Sequence, residues 1–174
     1  AFSRRECEEL ANDNIHRSLL SEIDQAEAAG EFDRFAEMYG CRWTPGLKRL
    51  RRMAVAGVGY HHAGMLPVHK EIVERLFTGG RVRMLFATST FALGINMPAR
   101  AVVIERLTKF NGDSHQFLTP LEYTQLTGRA GRRGIDDRGY AIVLWSPFVS
   151  FDQVASLAAS RAFSLRSAFR PTYN

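Results

Sequence analysis

The sequence predicts an α/β fold in which a parallel sheet carries helices on both faces, with a helical insertion near the N-terminus. Two observations lead there. From residue 57 onward, short apolar runs ("VGY", "VRMLFA", "AVVI", "YAIVLW") alternate with amphipathic helical stretches. Strands that are apolar on both faces and separated by helices belong to parallel sheets covered on both sides. Residues 12–56, in contrast, show helical spacing throughout. The predicted division is one domain over 1–150, with the insertion at about 12–56, and a helical extension over 151–174 that leads to a next domain.

Taken in order, "AF" at the start reads as the stump of a strand. Ser3 and Glu6 form a capping-box pattern, and Cys7, Leu10 and Ala11 repeat at i, i+3, i+4, so a helix is predicted from about Arg4. Ile15, Leu19, Ile23 and Ala26 form one helical stripe, and Phe32, Phe35, Ala36 and Tyr39 a second, with Gly30 and Gly40 as stops. A third helix opens at Thr44 and Pro45 and carries "KRLRR"; its cations Lys48, Arg49, Arg51 and Arg52 read first as a solvated face. "VGY" is then a strand, "PVHKEIVERLFTGG" a helix with Pro67 at its start and Gly79 past its end, and "VRMLFA" a near-continuous apolar strand. "AVVI" and "YAIVLW" (140–145) are further strands, the latter read as buried. Ligands of such folds bind beyond the carboxyl ends of the strands, where "HHAGMLP" and "TSTFALGINMPA" lie. Residues 150–170 read as a final helical segment carrying Arg161, Arg166 and Arg170.

The chemistry concentrates in "TPLEYTQLTGRAGRRG" (119–134). Thr119 with Glu122 is a capping box, and Pro120 occupies the first helical position, where its missing N–H costs nothing. On one helix Gln125, Arg129 and Arg132 would share a face, with Tyr123, Leu126 and Ala130 on the buried side. Gly128 and Gly131 each lower helix propensity by about 1 kcal/mol, which makes sense if something approaches the backbone closely or the helix must end. An open cationic face suits an oxygen-rich anion, because guanidinium forks bind phosphate with fixed geometry. The plainer reading is a solvated basic box of the RG-rich kind, and the residues alone leave both open.

Bulk properties bound the function. A chain of 174 residues with 45% apolar content can bury one substantial core. No run approaches 18 apolar residues, so a soluble, non-membrane protein is expected. Twenty-three Lys and Arg against 18 Asp and Glu give a net charge of +5, which favours a polyanionic partner. Cys7 and Cys41, with no CxxC or His/Cys cluster, read as unpaired thiols of a reducing, cytoplasmic setting, and no metal site is indicated. The charged opening "AFSRRECEEL" is no signal peptide, and the missing initial methionine is expected of a piece excised from a longer protein.

Together these segments resemble the superfamily-two helicases. "QLTGRAGRRG" looks like their motif VI, "FATSTFALGINMPA" like motif V, and "YHHAGMLP" like the motif that lies between motif V and the N-terminal "FSR". "KFNG" and "RRGIDDRG" point to the superkiller-type, exosome-associated branch, and the tail "LRSAFRPTYN" is similar to actinobacterial HelY-type members. The resemblance implies the second RecA-like domain of such a helicase, one wall of a cleft that binds ATP, with Mg2+ held mainly by the first RecA-like domain. It implies as partners ATP, that first domain, single-stranded RNA and, for this branch, a nuclease. Neither G-x-x-x-x-G-K-[ST] nor D-E-x-H occurs in the chain.

By resemblance, Arg132 is the arginine finger at the γ-phosphate, Arg129 its companion, and Gln125 the glutamine that arranges the nucleotide side of the cleft. Gly94 and Asn96 match the positions that meet the nucleotide; for Asn96 the plainer role is a turn residue before Pro98. Ser3, Arg4, His62, Gly64 and Thr88 match positions that line the nucleic-acid track, where hydroxyl and N–H contacts to phosphate position a strand without reading its sequence. One of His61 and His62 is expected to be a packed, hydrogen-bonded core residue. Ser89 stands where many relatives carry glutamate, so that carboxylate's role does not carry over. Three functions follow for comparison: an ATP-dependent RNA helicase whose catalytically incomplete second motor domain this is, a DNA-directed helicase, or a non-enzymatic nucleic-acid-binding module. The motifs do not see the 2′-OH that separates RNA from DNA.

Overall fold

A computed structural model describes residues 3–88, 97–110 and 113–160. Helix α1 spans Arg4–Asp13, and Ser3 Oγ accepts the Glu6 N–H at 3.0 Å, the cap its sequence predicts. Cys7 and Ala11 are wholly buried on its inner face. A 3-10 turn over Ile15–Arg17 and a left-handed Ser18 then break the chain before α2, Glu22–Met38, which is capped by Ser21.

Two expectations change here. The stripe from Ile15 to Ala26 is not one helix face: the break at Ser18 puts Ile15 and Leu19 ahead of α2, and Ile23 is 75% exposed. Gly30 stops nothing, because α2 runs straight through it and buries Ala28, Phe32, Phe35 and Ala36 on either side of it. The end comes at Tyr39 and Gly40, where φ is +60°.

Helix α3, Pro45–Val55, starts as predicted, with Thr44 Oγ1 accepting the Leu47 N–H and Pro45 in the first turn. It buries Leu47, Leu50, Met53 and Ala54. Strand β1 (Val58–His61), helix α4 (Pro67–Thr78) and strand β2 (Met84–Ala87) form a β-α-β unit, with β1 and β2 parallel and Val58 paired to Met84, His61 to Ala87. Phe32, Leu47, Leu50, Met53, Val58, Ile72, Val73, Leu76 and Val82 share one apolar core. The helices of 12–56 are therefore built into the same core as β1.

The second half holds strand β3 (Ala101–Ile104), an antiparallel hairpin of β4 (Thr108–Phe110) and β5 (His115–Phe117), helix α5 (Pro120–Thr127), strand β6 (Tyr140–Val143) and helix α6 (Phe151–Ala159). β3 and β6 pair in parallel, Ala101 with Tyr140 through Ile104 with Val143. Ile104, Leu107, Leu118, Tyr123 and Leu157 make a second, smaller core. The fold is thus α/β with parallel sheets. Among the described residues the sheet is two hydrogen-bonded parallel pairs, β1 with β2 and β3 with β6. The hairpin, which the sequence reading did not anticipate, sits between β3 and α5.

The second half also corrects the reading of "YAIVLW". Tyr140, Ile142, Leu144 and Trp145 are 46–84% exposed. An apolar run reports strand propensity, while burial depends on which layers cover it. The final segment is helical over Phe151–Ala159, capped by Ser150 and Gln153 in a reciprocal box. Arg161, Arg166 and Arg170 lie outside the described residues. No described helix is long and apolar enough to cross a membrane.

Candidate functional site

The structure brings the candidate side chains together in two groups. The first lies at the carboxyl ends of β1 and β2. The Thr88 N–H, just past β2, donates to the His61 carbonyl at 3.2 Å, holding the two strand ends together. His62 follows β1 directly and is 4% exposed; its ring stacks on Tyr60 at 5.4 Å between centroids and 14° between planes. The Gly64 N–H donates to His62 Nδ1 at 3.1 Å, and His62 Nε2 lies 3.1 Å from Glu8 Oε1 on α1.

Gly64 is closely covered by side chains. A Cβ there would lie 2.9 Å from Arg4 Cδ and 3.2 Å from His62 Nδ1. Arg4 and Glu8 are one turn apart on α1, so a single helix face presents the first to Gly64 and the second to His62. Ser3 and Arg4 are exposed at the start of that helix. The structure thus bonds His62 to Gly64 and lays Arg4 beside Gly64, with Ser3 adjoining through α1 and Thr88 through His61.

Both histidines are buried. His61 Nε2 lies 2.7 Å from Glu74 of α4, and burial lowers its pKa against the opposing pull of that carboxylate. The expectation of one packed histidine is met by His61, and His62 is packed as well.

The second group surrounds "GRAGRRG". Helix α5 has the full capping box of Thr119 and Glu122, and Lys109 of the hairpin also pairs with the Glu122 carboxylate. Tyr123 is buried and Leu126 half-buried, as predicted. The helix ends at Gly128, however, so Arg129 and Arg132 do not share a helix face with Gln125. The physical reason is Gly128 followed by Gly131 at φ +92°, a backbone that leaves the helix and bridges to the neighbouring strand entry: the Ala99 N–H donates to Arg129 O, and the Gly131 N–H to Ala99 O at 2.7 Å. Gly139 crosses so close that a Cβ on it would run into the Ala130 carbonyl.

Arg132 is then held by Asp136, a residue to which the sequence reading gave no role. Its Nε and Nη2 donate to the two carboxylate oxygens at 2.8 Å each, and its backbone N–H donates to Oδ2 at 2.9 Å. The bidentate hydrogen bonds from Arg132 hold the Asp136 carboxyl down at about 2, and the Arg132 pKa is raised in turn. The Arg132 side chain remains 42% exposed. Asp136 occupies the Nε/Nη2 edge of the guanidinium, so a phosphate would meet the remaining N–H groups or displace the carboxylate; on those terms an arginine with this exposure fits a phosphate-bearing cofactor.

Gly94, Asn96 and Ser89 lie outside the described residues. Glu8, Arg49 and Asp136, to which the sequence assigns no site role, are hidden for two reasons. Their partners are 54 residues away for Glu8 and His62 and 41 for Arg49 and Glu8, while the four-residue spacing of Arg132 and Asp136 signals a pair only if the backbone turns there.

The chain matches the helicase conserved C-terminal domain over residues 21–134. It is 48% identical to the probable helicase HelY of Mycobacterium tuberculosis and to that of Mycobacterium leprae, each across 99% of this chain and 20% of the relative. It is 38% identical to the ATP-dependent RNA helicase mtr4 of Schizosaccharomyces pombe across 100% of this chain and 16% of that protein. The chain therefore spans about a fifth or less of the length of these relatives. On these matches, and on the parallel α/β architecture with its glycine-shaped arginine loop, the chain belongs to the helicase conserved C-terminal domain family, with HelY-like and Mtr4-like helicases as relatives over its whole length.

Proposed function

We propose that this chain is the second motor domain of an ATP-dependent RNA helicase, supplying an arginine finger and part of the nucleic-acid track. The observation that carries the reading is Arg132, oriented by Asp136 through Nε and Nη2 and still 42% exposed, on a loop whose path is set by Gly131 and Gly139. Arg132 acts on the γ-phosphate, Arg129 assists it, and Gln125, Gly94 and Asn96 line the nucleotide side. Bound ATP, with Mg2+ held mainly by the first motor domain, supplies the phosphoryl group, and the chain's part is to place fixed positive charge where negative charge spreads in the transition state.

The track runs past Ser3, Arg4, His62, Gly64 and Thr88 at the strand ends, and RNA is favoured over DNA by the relatives named as RNA helicases. A nuclease is the protein partner this branch of helicases suggests. Because the sequence contains neither the phosphate cradle nor the D-E-x-H carboxylates, the isolated chain turns over no ATP.

The test is Arg132→Ala in the complete protein. Turnover should fall by roughly 10³–10⁵, or about 4–7 kcal/mol, mainly in kcat. Lysine should rescue poorly, since a point charge cannot replace a planar fork. Near-normal ATPase together with weakened, salt-sensitive RNA binding would make "GRAGRRG" a basic patch and the arginine-finger role wrong.

A further inference from the structure

We propose that Glu8 is a positioning residue of the nucleic-acid track: braced by Arg49, its carboxylate holds His62 so that the loop after β1 keeps the shape a phosphate backbone meets. This rests on the reading of the track given above. It begins with the hydrogen bonds of one ring. Gly64 donates its N–H to His62 Nδ1, so that nitrogen carries no proton. The proton of the neutral ring is therefore on Nε2, which faces Glu8 Oε1 at 3.1 Å.

Both ring nitrogens are thereby used inside the protein, and the ring is stacked on Tyr60 and 4% exposed. His62 has no N–H left for a phosphate. Its service to the track is to hold Gly64, the residue over which Arg4 folds. What sets His62 is Glu8.

Glu8 is itself held from another element. Arg49 of α3 reaches the second carboxylate oxygen at 3.5 Å through Nη1 and the Glu8 main-chain carbonyl at 3.3 Å through Nη2. The cationic face of α3, which the sequence leaves as solvated charge, thus contributes one side chain to the strand-binding end of the sheet. Arg49 to Glu8 to His62 to Gly64 is a continuous chain of hydrogen bonds from α3, through α1, to the loop.

Electrostatics make the proposal testable, because the two accounts of Glu8 predict opposite signs. A carboxylate beside a phosphate-tracking surface repels the strand, so if charge alone mattered, removing it would tighten binding. If Glu8 positions His62, removing it weakens binding in spite of the lost repulsion. The experiment measures fluorescence anisotropy of a labelled oligouridylate on the complete protein without nucleotide, for wild type, Glu8→Ala, Glu8→Gln, Arg49→Ala and the pair Glu8→Ala/Arg49→Ala.

Glu8→Ala should bind about three- to tenfold more weakly, the scale of one lost hydrogen bond. Glu8→Gln keeps one oxygen that accepts from Nε2 but turns its amide nitrogen toward Arg49 Nη1, leaving the brace to the main-chain carbonyl, and should bind more tightly than Glu8→Ala. Arg49→Ala should cost less in the Glu8→Ala background than alone, since its brace is already gone. Glu8→Ala binding as tightly as wild type, or more tightly, would overturn the proposal by leaving only charge. Glu8→Gln as weak as Glu8→Ala would overturn it too, by tying the effect to the charge or the fold and not to the bond with His62. A wild-type protein that binds no RNA at any salt fails the track itself, an outcome visible before any variant is made.

Discussion

Cys7 shows how far a single residue can be read from its surroundings. It sits on the inner face of α1 with no exposed surface, and burial pushes its thiol up to about 11, with smaller contributions from Glu6 and Glu105. A thiol that neither ionises near neutrality nor meets solvent cannot act as a nucleophile or metal ligand. Cys41, beyond the end of α2, is only partly buried. Under native conditions at neutral pH a disulfide reagent should therefore titrate Cys41 readily and Cys7 only as the core opens, with both reacting in denaturant. Equal rates for the two thiols would mean that α1 does not pack as described. The sequence allowed half of this, since the absence of CxxC spacing pointed to free thiols. It could not rank them, because rank depends on the core that α1 meets.

At the scale of elements, caps are legible and glycines only in part: Gly40, Gly79 and Gly128 do end helices, while Gly30 does not. Ser3, Thr44 and Thr119 all cap where the sequence places them, because a cap is a local matter of one side chain and an N–H three residues on. Glycine means different things in different packings. Gly30 looks like a stop in the sequence, yet it lies exposed inside α2 with nothing within 4 Å of an added Cβ. Gly139 lies outside any named element, and its lack of a side chain is what lets the arginine loop pass Ala130. Gly30→Ala should accordingly raise stability by about 0.5–1 kcal/mol, the helical difference between the two residues. Gly139→Ala should lower it by about 1–3 kcal/mol or more, as a forced backbone shift does, and should displace Arg132 and depress ATP turnover in the complete protein. Chemical denaturation measures both. A destabilised Gly30→Ala would mean that α2 is interrupted after all.

For the whole molecule, the two halves differ in how much apolar surface they cover, and that is the part of the fold least legible in the sequence. The first half packs three helices against the β1–α4–β2 unit, and Phe32, Leu47, Met53, Val58, Ile72 and Leu76 are wholly buried there. The second has a small core around Ile104, Leu107, Leu118, Tyr123 and Leu157, while Val103, Ile142, Leu144, Trp145, Phe148 and Phe151 remain exposed. "VGY" and "YAIVLW" look alike as apolar runs, and only the number of layers laid over each separates a buried β1 from a half-open β6. Burial of apolar surface stabilises by roughly 25 cal/mol per Å², so opening the first half exposes far more than opening the second. The links between the halves include the Arg106–Glu6 pair at 3.3 Å, both partners of which are partly exposed. Such a pair contributes typically below about 1 kcal/mol and cannot force the halves to open together. Native-state hydrogen exchange on this chain should then show the slowest amides in α3, β1 and α4, with those of β3 and β6 exchanging through a separate opening of lower free energy. If β3 and β6 exchange as slowly as β1, and all three respond alike to denaturant, the two cores form a single cooperative unit and this division of stability is wrong.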